Sequence, residues 1–263
     1  MNRHLSAGSR RFDENAAMQR STPRHVTAMV GLLAACAGVL AQTGMQPMGR
    51  FEIDRTEVTI GQFRKFVEAT GLKTAAERAG GGSTFEAGWE QRKGWTWRSP
   101  FGQPGGDNEP AVHVTYGEAQ AFCQWAGKRL PLDAEWREAA YTERRRNPPA
   151  DFVTGKSYTY PTGDSPQGAN CLGDCGRVRT VTHAITSRGA GHAEAGSTRA
   201  GVNGLHEMGG NAWEWVDSGE GSEKRTRGGS WWYGAAQMQD THRQSKPVDT
   251  AAVYLGFRCA RGG

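Results

Sequence analysis

The chain has 263 residues, enough for one domain or for one domain with a tail. Its 37 glycines and 9 tryptophans, with 37% hydrophobic residues, favour an irregular domain packed around large aromatic side chains rather than a bundle of long helices. The formal net charge is +5, but much of the basic excess lies before residue 30 and in Arg144–Arg146. This distribution is typical of solvated segments and argues against a nucleic-acid-binding surface.

Residues 1–41 are predicted to be an export signal. Arg20 and Arg24 precede an apolar stretch from residue 26 to residue 41, and small residues offer a cleavage site before Gln42. The stretch is too short and too rich in glycine to favour a membrane span. The expected location is therefore periplasmic or secreted. A lipoprotein box ending at Cys36 leaves a membrane-anchored lipoprotein as an alternative, and a twin-arginine signal at residues 9–12 is a third. Residues 42–50 are predicted to be a linker, and residues 51–263 the domain.

Three helices are predicted in the first half of the domain. The first runs from about Thr59 to Thr70, with a Thr-x-x-Gln capping box, an apolar stripe and Gly71 at its end. The second begins at the Thr115-x-x-Glu box and stops at Gly127, and the third spans about Asp133 to Tyr141. Residues 74–108 and 163–204 are expected to be loops.

Short strands are predicted in the last third of the chain. They lie around Trp213–Val216, Thr226–Trp231 and Tyr254–Ala260. Together with the three helices, they predict an α+β fold with little regular secondary structure.

The cysteine count fits an oxidising compartment. One of the five cysteines, Cys36, lies in the predicted signal, and four remain in the mature chain: Cys123, Cys171, Cys175 and Cys259. An even count predicts two disulfides. Cys171 and Cys175 are close enough in sequence for a local disulfide, although a redox pair or half of a metal site is also open.

Several sequence blocks occur together and in a fixed order. They are FEIDRTEVT (51–59), WTWR (95–98), PAVHV (110–114), AGKRLP (126–131), AEW (134–136), GGNAWEWV (209–216), RGGSW (227–231) and LGFRCA (255–260). These blocks resemble the formylglycine-generating enzyme family, also called the sulfatase-modifying-factor domain, from residue 51 to the C-terminus. The resemblance implies a C-type-lectin-like fold and a disulfide between Cys123 and Cys259.

The resemblance also implies an oxidation that needs copper and two cysteines shortly after the Gly-Gly-Ser motif, because thiolates bind Cu(I). In this chain Tyr233 occupies the first of these positions and about Met238 the second. We therefore expect no copper and no formylglycine formation by the known route, and the sequence leaves open whether the protein is an enzyme.

Two hypotheses remain for function. The first is an enzyme of another branch that matures or modifies a partner in the cell envelope, as the family resemblance implies for relatives in secondary metabolism. Its pocket candidates are Ser230, Tyr233, Met238, His242 and Arg243. The second is a lectin-like module that binds a protein, a peptide or a small molecule, with candidate contact residues Trp213, Trp231 and Trp232. The alternative role for these tryptophans is packing in the hydrophobic core. The alternative role for Ser230 is a hydrogen bond to the backbone at a turn.

Calcium is the expected metal. By position in the family motif, its ligands are Glu207, Glu214 and the backbone carbonyls of Gly210 and Ala212, all of them hard oxygen donors. A second site would begin at Asn170 and the carbonyl of Cys171, without further ligands that can be aligned. The alternative for Glu214 is a buried salt bridge with an arginine. Arg258 is expected to pair with a carboxylate.

Overall fold

The computed structural model describes residues 44–218 and 221–262. The predicted export signal and Cys36 lie outside the described residues. The first sheet is antiparallel and joins the two ends of the domain. Its strands are β1 (Met45–Pro47), β2 (Phe51–Asp54) and β9 (Ala260–Gly262), in the order β1-β2-β9. Residues 45–47, which we expected to belong to a linker, are thus a strand of the domain.

Helix α1 (Ile60–Thr70) forms as predicted. The Thr59 side chain accepts from the Gln62 amide at 3.3 Å, and the Gln62 side chain accepts from the Thr59 amide at 2.9 Å, so two free helix donors are satisfied. Gly71 ends the helix with a φ of 68°, a conformation that glycine adopts without a Cβ penalty.

The segment between residues 74 and 108 contains more regular structure than expected. It holds a short helix, α2 (Ala75–Arg78), and a two-stranded hairpin formed by β3 (Ser83–Phe85) and β4 (Trp89–Gln91). Helices α3 (Tyr116–Trp125) and α4 (Asp133–Tyr141) follow and match the prediction. None of the described helices is long and apolar enough to cross a bilayer.

The second large sheet lies in the C-terminal third. Its strands are β5 (Trp213–Trp215), β6 (Glu223–Arg227), β7 (Gln244–Pro247) and β8 (Leu255–Gly256), in the order β7-β6-β5-β8, with only the β5–β8 pair parallel. The predicted strand from Thr226 to Trp231 was placed too late. Strand β6 ends at Arg227 because Gly228 and Gly229 turn the chain with φ of 94° and 76°.

The main core lies between α1, α3 and the second sheet. Phe63 of α1 stacks on Phe122 of α3 with ring centroids 5.7 Å apart, and both rings contact Phe257. Trp97, Trp213 and Trp215 are fully buried in or beside this core. Because each large ring removes much apolar surface from water, few regular elements suffice to hold the loops.

Candidate functional site

The Gly-Gly-Ser turn that follows β6 is fixed by close backbone contacts. A Cβ at Gly228 would lie 2.8 Å from the carbonyl oxygen of Met208, so only glycine fits there. The Trp231 amide donates to the carbonyl of Asn211 at 2.9 Å, and the Trp232 amide donates to the Ser230 hydroxyl at 3.3 Å. Buried Ser230 thus bonds the backbone at a turn.

Aromatic rings pack around the next residue, Tyr233. Its ring centroid lies 5.9 Å from that of Trp213 and 6.1 Å from that of Tyr254. Trp213, Trp231 and Trp232 are at most 1% exposed, so they belong to the core and support Tyr233 from beneath rather than forming the surface themselves. Burial raises the pKa of both Tyr233 and Tyr254, and these phenols are therefore neutral at pH 7.

A buried lysine lies beside these rings. Lys246 of β7 is 5% exposed, and its Nζ lies 5.5 Å from the Trp213 ring centroid and 5.9 Å from that of Tyr254. Burial lowers the pKa of Lys246 to about 8. This residue was not predicted as part of a site, because a lysine in a short polar strand is ordinarily solvated.

The β3–β4 hairpin extends the aromatic surface outward. Trp89 is 58% exposed, and its ring contacts Phe85 at 5.7 Å and Tyr254 at 6.4 Å. Phe85, Trp89 and half-buried Tyr233 thus form an aromatic surface above buried Tyr254 and Lys246, and we call these five residues the aromatic ledge. Exposed rings beside a polar rim are the usual composition of a binding surface in a soluble protein.

The remaining pocket candidates do not converge on one helical face. Met238 closes a short 3-10 turn (Ala235–Met238) and is fully buried, with its sulfur 3.7 Å from Cys175 Sγ. His242 lies instead over Trp213, with ring centroids 5.6 Å apart. Met238 and His242 therefore lie in different surroundings. Arg243 is exposed.

All four cysteines of the described chain are disulfide-bonded. Cys123 pairs with Cys259 and Cys171 with Cys175, which confirms both pairings and excludes a free dithiol or a thiolate metal site at Cys171 and Cys175 in this state. These two sulfurs and Asp174 lie within ligand distance of one another. Disulfide sulfur, however, is not the thiolate that soft metals bind. The residues of this site do not fit copper.

The turn proposed for calcium is held by a carboxylate that the sequence analysis missed. Glu57 accepts from the Ala212 amide at 2.9 Å and from the Asn211 side chain at 2.5 Å. Glu214 accepts from Arg258 at 2.7 Å and from the Trp136 indole at 2.7 Å, so the salt bridge expected for Arg258 is present.

The other proposed calcium ligands are also engaged. Glu207 accepts from the amides of Gly196 and Thr198. Asn170 uses its side-chain nitrogen to donate to the carbonyl of Gly191 and to Asn211, and Cys171 is in a disulfide.

Charge around this turn is unbalanced. Burial, followed by the repulsion of Glu207 and Glu214, raises the pKa of Glu57 well above its usual value, and Arg258 opposes the shift. Three buried carboxylates thus face one guanidinium. The salt bridge with Arg258 is thus the role that the structure shows for Glu214, while the oxygen donors of this turn are of the type that a hard divalent cation takes.

A polar cavity lies between Glu109 and the chain segment from Arg179 to Ser197. It measures about 240 Å³ and is lined in part by Glu109, His183 and Glu194. The Nε2 atoms of His183 and His192 lie 3.2 and 2.8 Å from the same Glu109 oxygen. This group was not predicted, because Glu109 lies 83 residues before His192 and no motif connects it to the histidines.

Comparison with known proteins identifies the domain. The sulfatase-modifying factor enzyme 1-like domain profile matches residues 14–262. A formylglycine-generating enzyme of Streptomyces coelicolor is 32% identical over 256 residues, covering 80% of this chain and 77% of the relative. The inactive C-alpha-formylglycine-generating enzyme 2 of Bos taurus is 28% identical and covers 81% of this chain and 77% of the relative.

Solved structures agree on the fold. PvdO from Pseudomonas aeruginosa superposes with a TM-score of 0.55 at 22% identity, covering 81% of this chain and 80% of that protein. CarF superposes with a TM-score of 0.53 at 20% identity, covering 81% and 86%. From the profile match, the ordered sequence blocks and the mixed helix-and-strand fold, this chain belongs to the sulfatase-modifying factor enzyme 1-like family, the family of the formylglycine-generating enzymes.

Proposed function

We propose that this protein is an exported ligand-binding member of its family, which binds a peptide or a small molecule on the aromatic ledge and makes no formylglycine. One observation carries the proposal: a half-buried tyrosine, Tyr233, stands where the family chemistry needs a thiol, and each described cysteine is in a disulfide. A relative named as inactive, at 28% identity, supports the idea that this fold persists without that chemistry.

The architecture suits binding. We infer a lectin-like frame, in which loops are held on a rigid core and display side chains. Trp231 and Trp232 fix the base of the ledge, while exposed Trp89 is free to contact a ligand. Aromatic side chains offer large contact area at a small cost in conformational entropy.

Two further features belong to the proposal. The two disulfides support an oxidising compartment, and hence export, since such bonds persist outside the reducing cytosol. The excess of buried carboxylates around Arg258 supports a calcium ion held by Glu207, Glu214 and the carbonyls of Gly210 and Ala212. Calcium would supply positive charge and rigidity to the Asn211 turn, which hydrogen-bonds to Trp231 at the base of the ledge.

The alternative is modification of an envelope partner by chemistry without thiols. It would use the same ledge and would differ by releasing a changed product. The aromatic surface favours binding as the primary property, because neutral buried phenols are poor bases at pH 7.

The test is selection of peptides from a random phage-displayed library on the immobilised domain, produced in an oxidising compartment. We expect selected peptides to bind the native protein and to lose about tenfold or more in affinity with Trp89→Ala, as for an interface anchor. Trp125→Ala is the matched control, because this tryptophan is 45% exposed and contacts Phe66 and Phe122. Equal loss with both variants, or no enrichment at all, would refute the ledge as the binding surface.

A further inference from the structure

Lys246 is a buried cation without a buried anion. Its side chain points inward from β7, between the exposed neighbours Ser245 and Pro247. No carboxylate among residues 44–218 and 221–262 lies within salt-bridge distance of its Nζ, and the contacts seen there are the faces of Trp213 and Tyr254. Ring faces attract an ammonium but offer it no hydrogen-bond acceptor.

The surrounding titratable groups do not supply the missing charge. Tyr233 and Tyr254 are neutral at pH 7 because burial raises the pKa of each phenol. The nearby charges that act on His242 are those of Lys246 and Arg227, and both lower the pKa of its imidazole in addition to burial. The ledge is therefore positive at its inner end.

Burying an ammonium without a partner costs free energy, so proteins normally pair such a group. The other fully buried cations follow this rule: Arg227 is paired with Asp133, and Arg258 with Glu214. Lys246 alone among these three has no carboxylate, and its ammonium lies beneath the rings of the ledge.

We propose that Lys246 is the anion-binding group of the ledge, and that the ligand carries a carboxylate next to an aromatic or other planar group. The inference rests on the proposed binding function. In this arrangement the carboxylate takes the hydrogen bonds of Lys246 and of the Tyr233 hydroxyl, which already accepts from the Tyr254 hydroxyl, while the planar group lies against Trp89. Two sources share this chemistry: a free aromatic acid, and the C-terminal carboxylate of a peptide that ends in an aromatic residue.

The experiment compares N-acetyl-phenylalanine with N-acetyl-phenylalanine amide. The two compounds differ only at the carboxyl end, which is a charged acceptor in the acid and a neutral donor and acceptor in the amide. Binding to the disulfide-bonded domain is followed by calorimetry and by NMR of the Lys246 side chain. We expect the acid to bind about tenfold or more tightly than the amide, since charge-assisted hydrogen bonds are the stronger ones, and to raise the pKa of Lys246.

Two variants separate charge from packing. Lys246→Met keeps most of the side-chain volume and should abolish the preference for the acid, whereas Lys246→Arg should retain it. A tripeptide ending in phenylalanine and its C-terminal amide form the second arm. Tighter binding of the tripeptide acid than of N-acetyl-phenylalanine indicates a peptide terminus as the source, and the reverse indicates a free acid.

The results that would overturn the carboxylate inference differ from those that would overturn the proposed binding function. An inward lysine on an edge strand can also serve only to prevent sheet-to-sheet association. In that case Lys246→Met would self-associate, and acid and amide would bind the native protein alike. If Trp89→Ala then removes the binding of both, the ledge is still a binding surface and only the carboxylate inference fails. If neither compound binds, the carboxylate inference is overturned, and the peptide selection decides the proposed function separately.

Discussion

Arg258 and Glu214 form an ion pair with no exposed surface on either side chain, and the guanidinium Nη2 donates to Oε1 at 2.7 Å. The same guanidinium donates to the backbone carbonyls of Asp54 and His206. This one arginine therefore connects the first sheet, the segment at His206 and strand β5.

Removing one partner of this pair should be severe. Arg258→Met leaves Glu214 beside Glu57 without its cation, and we expect a loss of about 3–5 kcal/mol in the free energy of unfolding. Urea denaturation measures the loss. Arg261→Ala is the control, because its pair with Glu52 is exposed and should contribute less than about 1 kcal/mol. A similar small effect for both variants would contradict the structural role of Arg258.

The two disulfides should contribute unequally. Cys123 and Cys259 are separated by 136 residues and Cys171 and Cys175 by 4. In the chain-entropy view, loops of these lengths correspond to about 5 and about 2 kcal/mol. We therefore expect Cys123→Ala/Cys259→Ala to lower the melting temperature more than Cys171→Ala/Cys175→Ala. The reverse order would show that strain or packing, rather than loop length, governs their contributions.

Copper binding should be absent from the native protein. Titration with Cu(I) against a chromophoric chelator is expected to show no competition, since the described sulfurs other than methionine are in disulfides. Tyr233→Cys/Met238→Cys provides the positive comparison, because it restores thiols at both family positions. Tight stoichiometric copper in the native chain would reverse the conclusion that Tyr233 replaces a metal ligand.

Calcium should stabilise the fold. We expect millimolar calcium to raise the melting temperature and a chelator to lower it, because an ion that binds only the native state shifts unfolding by mass action. Glu207→Gln should reduce the calcium-dependent shift, with magnesium as the ionic control. An unchanged melting temperature in calcium and chelator would remove calcium from the proposed function.

Stability should rise with pH above about 8. In the folded protein the pKa of Lys246 is lowered to about 8 by burial, while in the unfolded chain it returns to its usual value of 10.5. Between these values the unfolded chain binds more protons than the native state, so rising pH favours folding. Lys246→Met should flatten this part of the stability profile, measured by urea denaturation from pH 7.5 to 10. The same upward slope in both proteins would assign the effect to another group.

Local sequence signals predicted the helices well. The Thr59 and Thr115 capping boxes act over three residues, so the start of α1 and of α3 could be read from the chain. The end of β6 was predicted too late, since Gly228 and Gly229 adopt positive φ and end the strand. A Cβ at Gly228 would also meet the carbonyl of Met208, from another part of the chain.

Only those residues of the candidate site that lie in or near the family-like sequence blocks were predicted from the sequence. Glu57 accepts a hydrogen bond from the Ala212 amide, which lies 155 residues later in the chain, and no sequence pattern in either segment predicts this contact. Lys246 is polar and lies in a strand with no alternation of apolar residues, so its burial follows from the aromatic residues packed around it. Tertiary packing, rather than local propensity, decides such positions.

The pairing of β2 with β9 also constrains how the domain folds. Phe51 lies opposite Gly262, so one of the first strands of the domain completes its hydrogen bonds only when the last residues are available. The Cys123–Cys259 bond has the same requirement. During synthesis from the N-terminus, β2 therefore has an unpaired edge and Cys123 a free thiol. Both remain so until β9 and Cys259 have been made. Non-local pairing of this kind slows folding and leaves the partly made chain open to wrong association. Truncation by even a few C-terminal residues therefore removes the step that closes the structure.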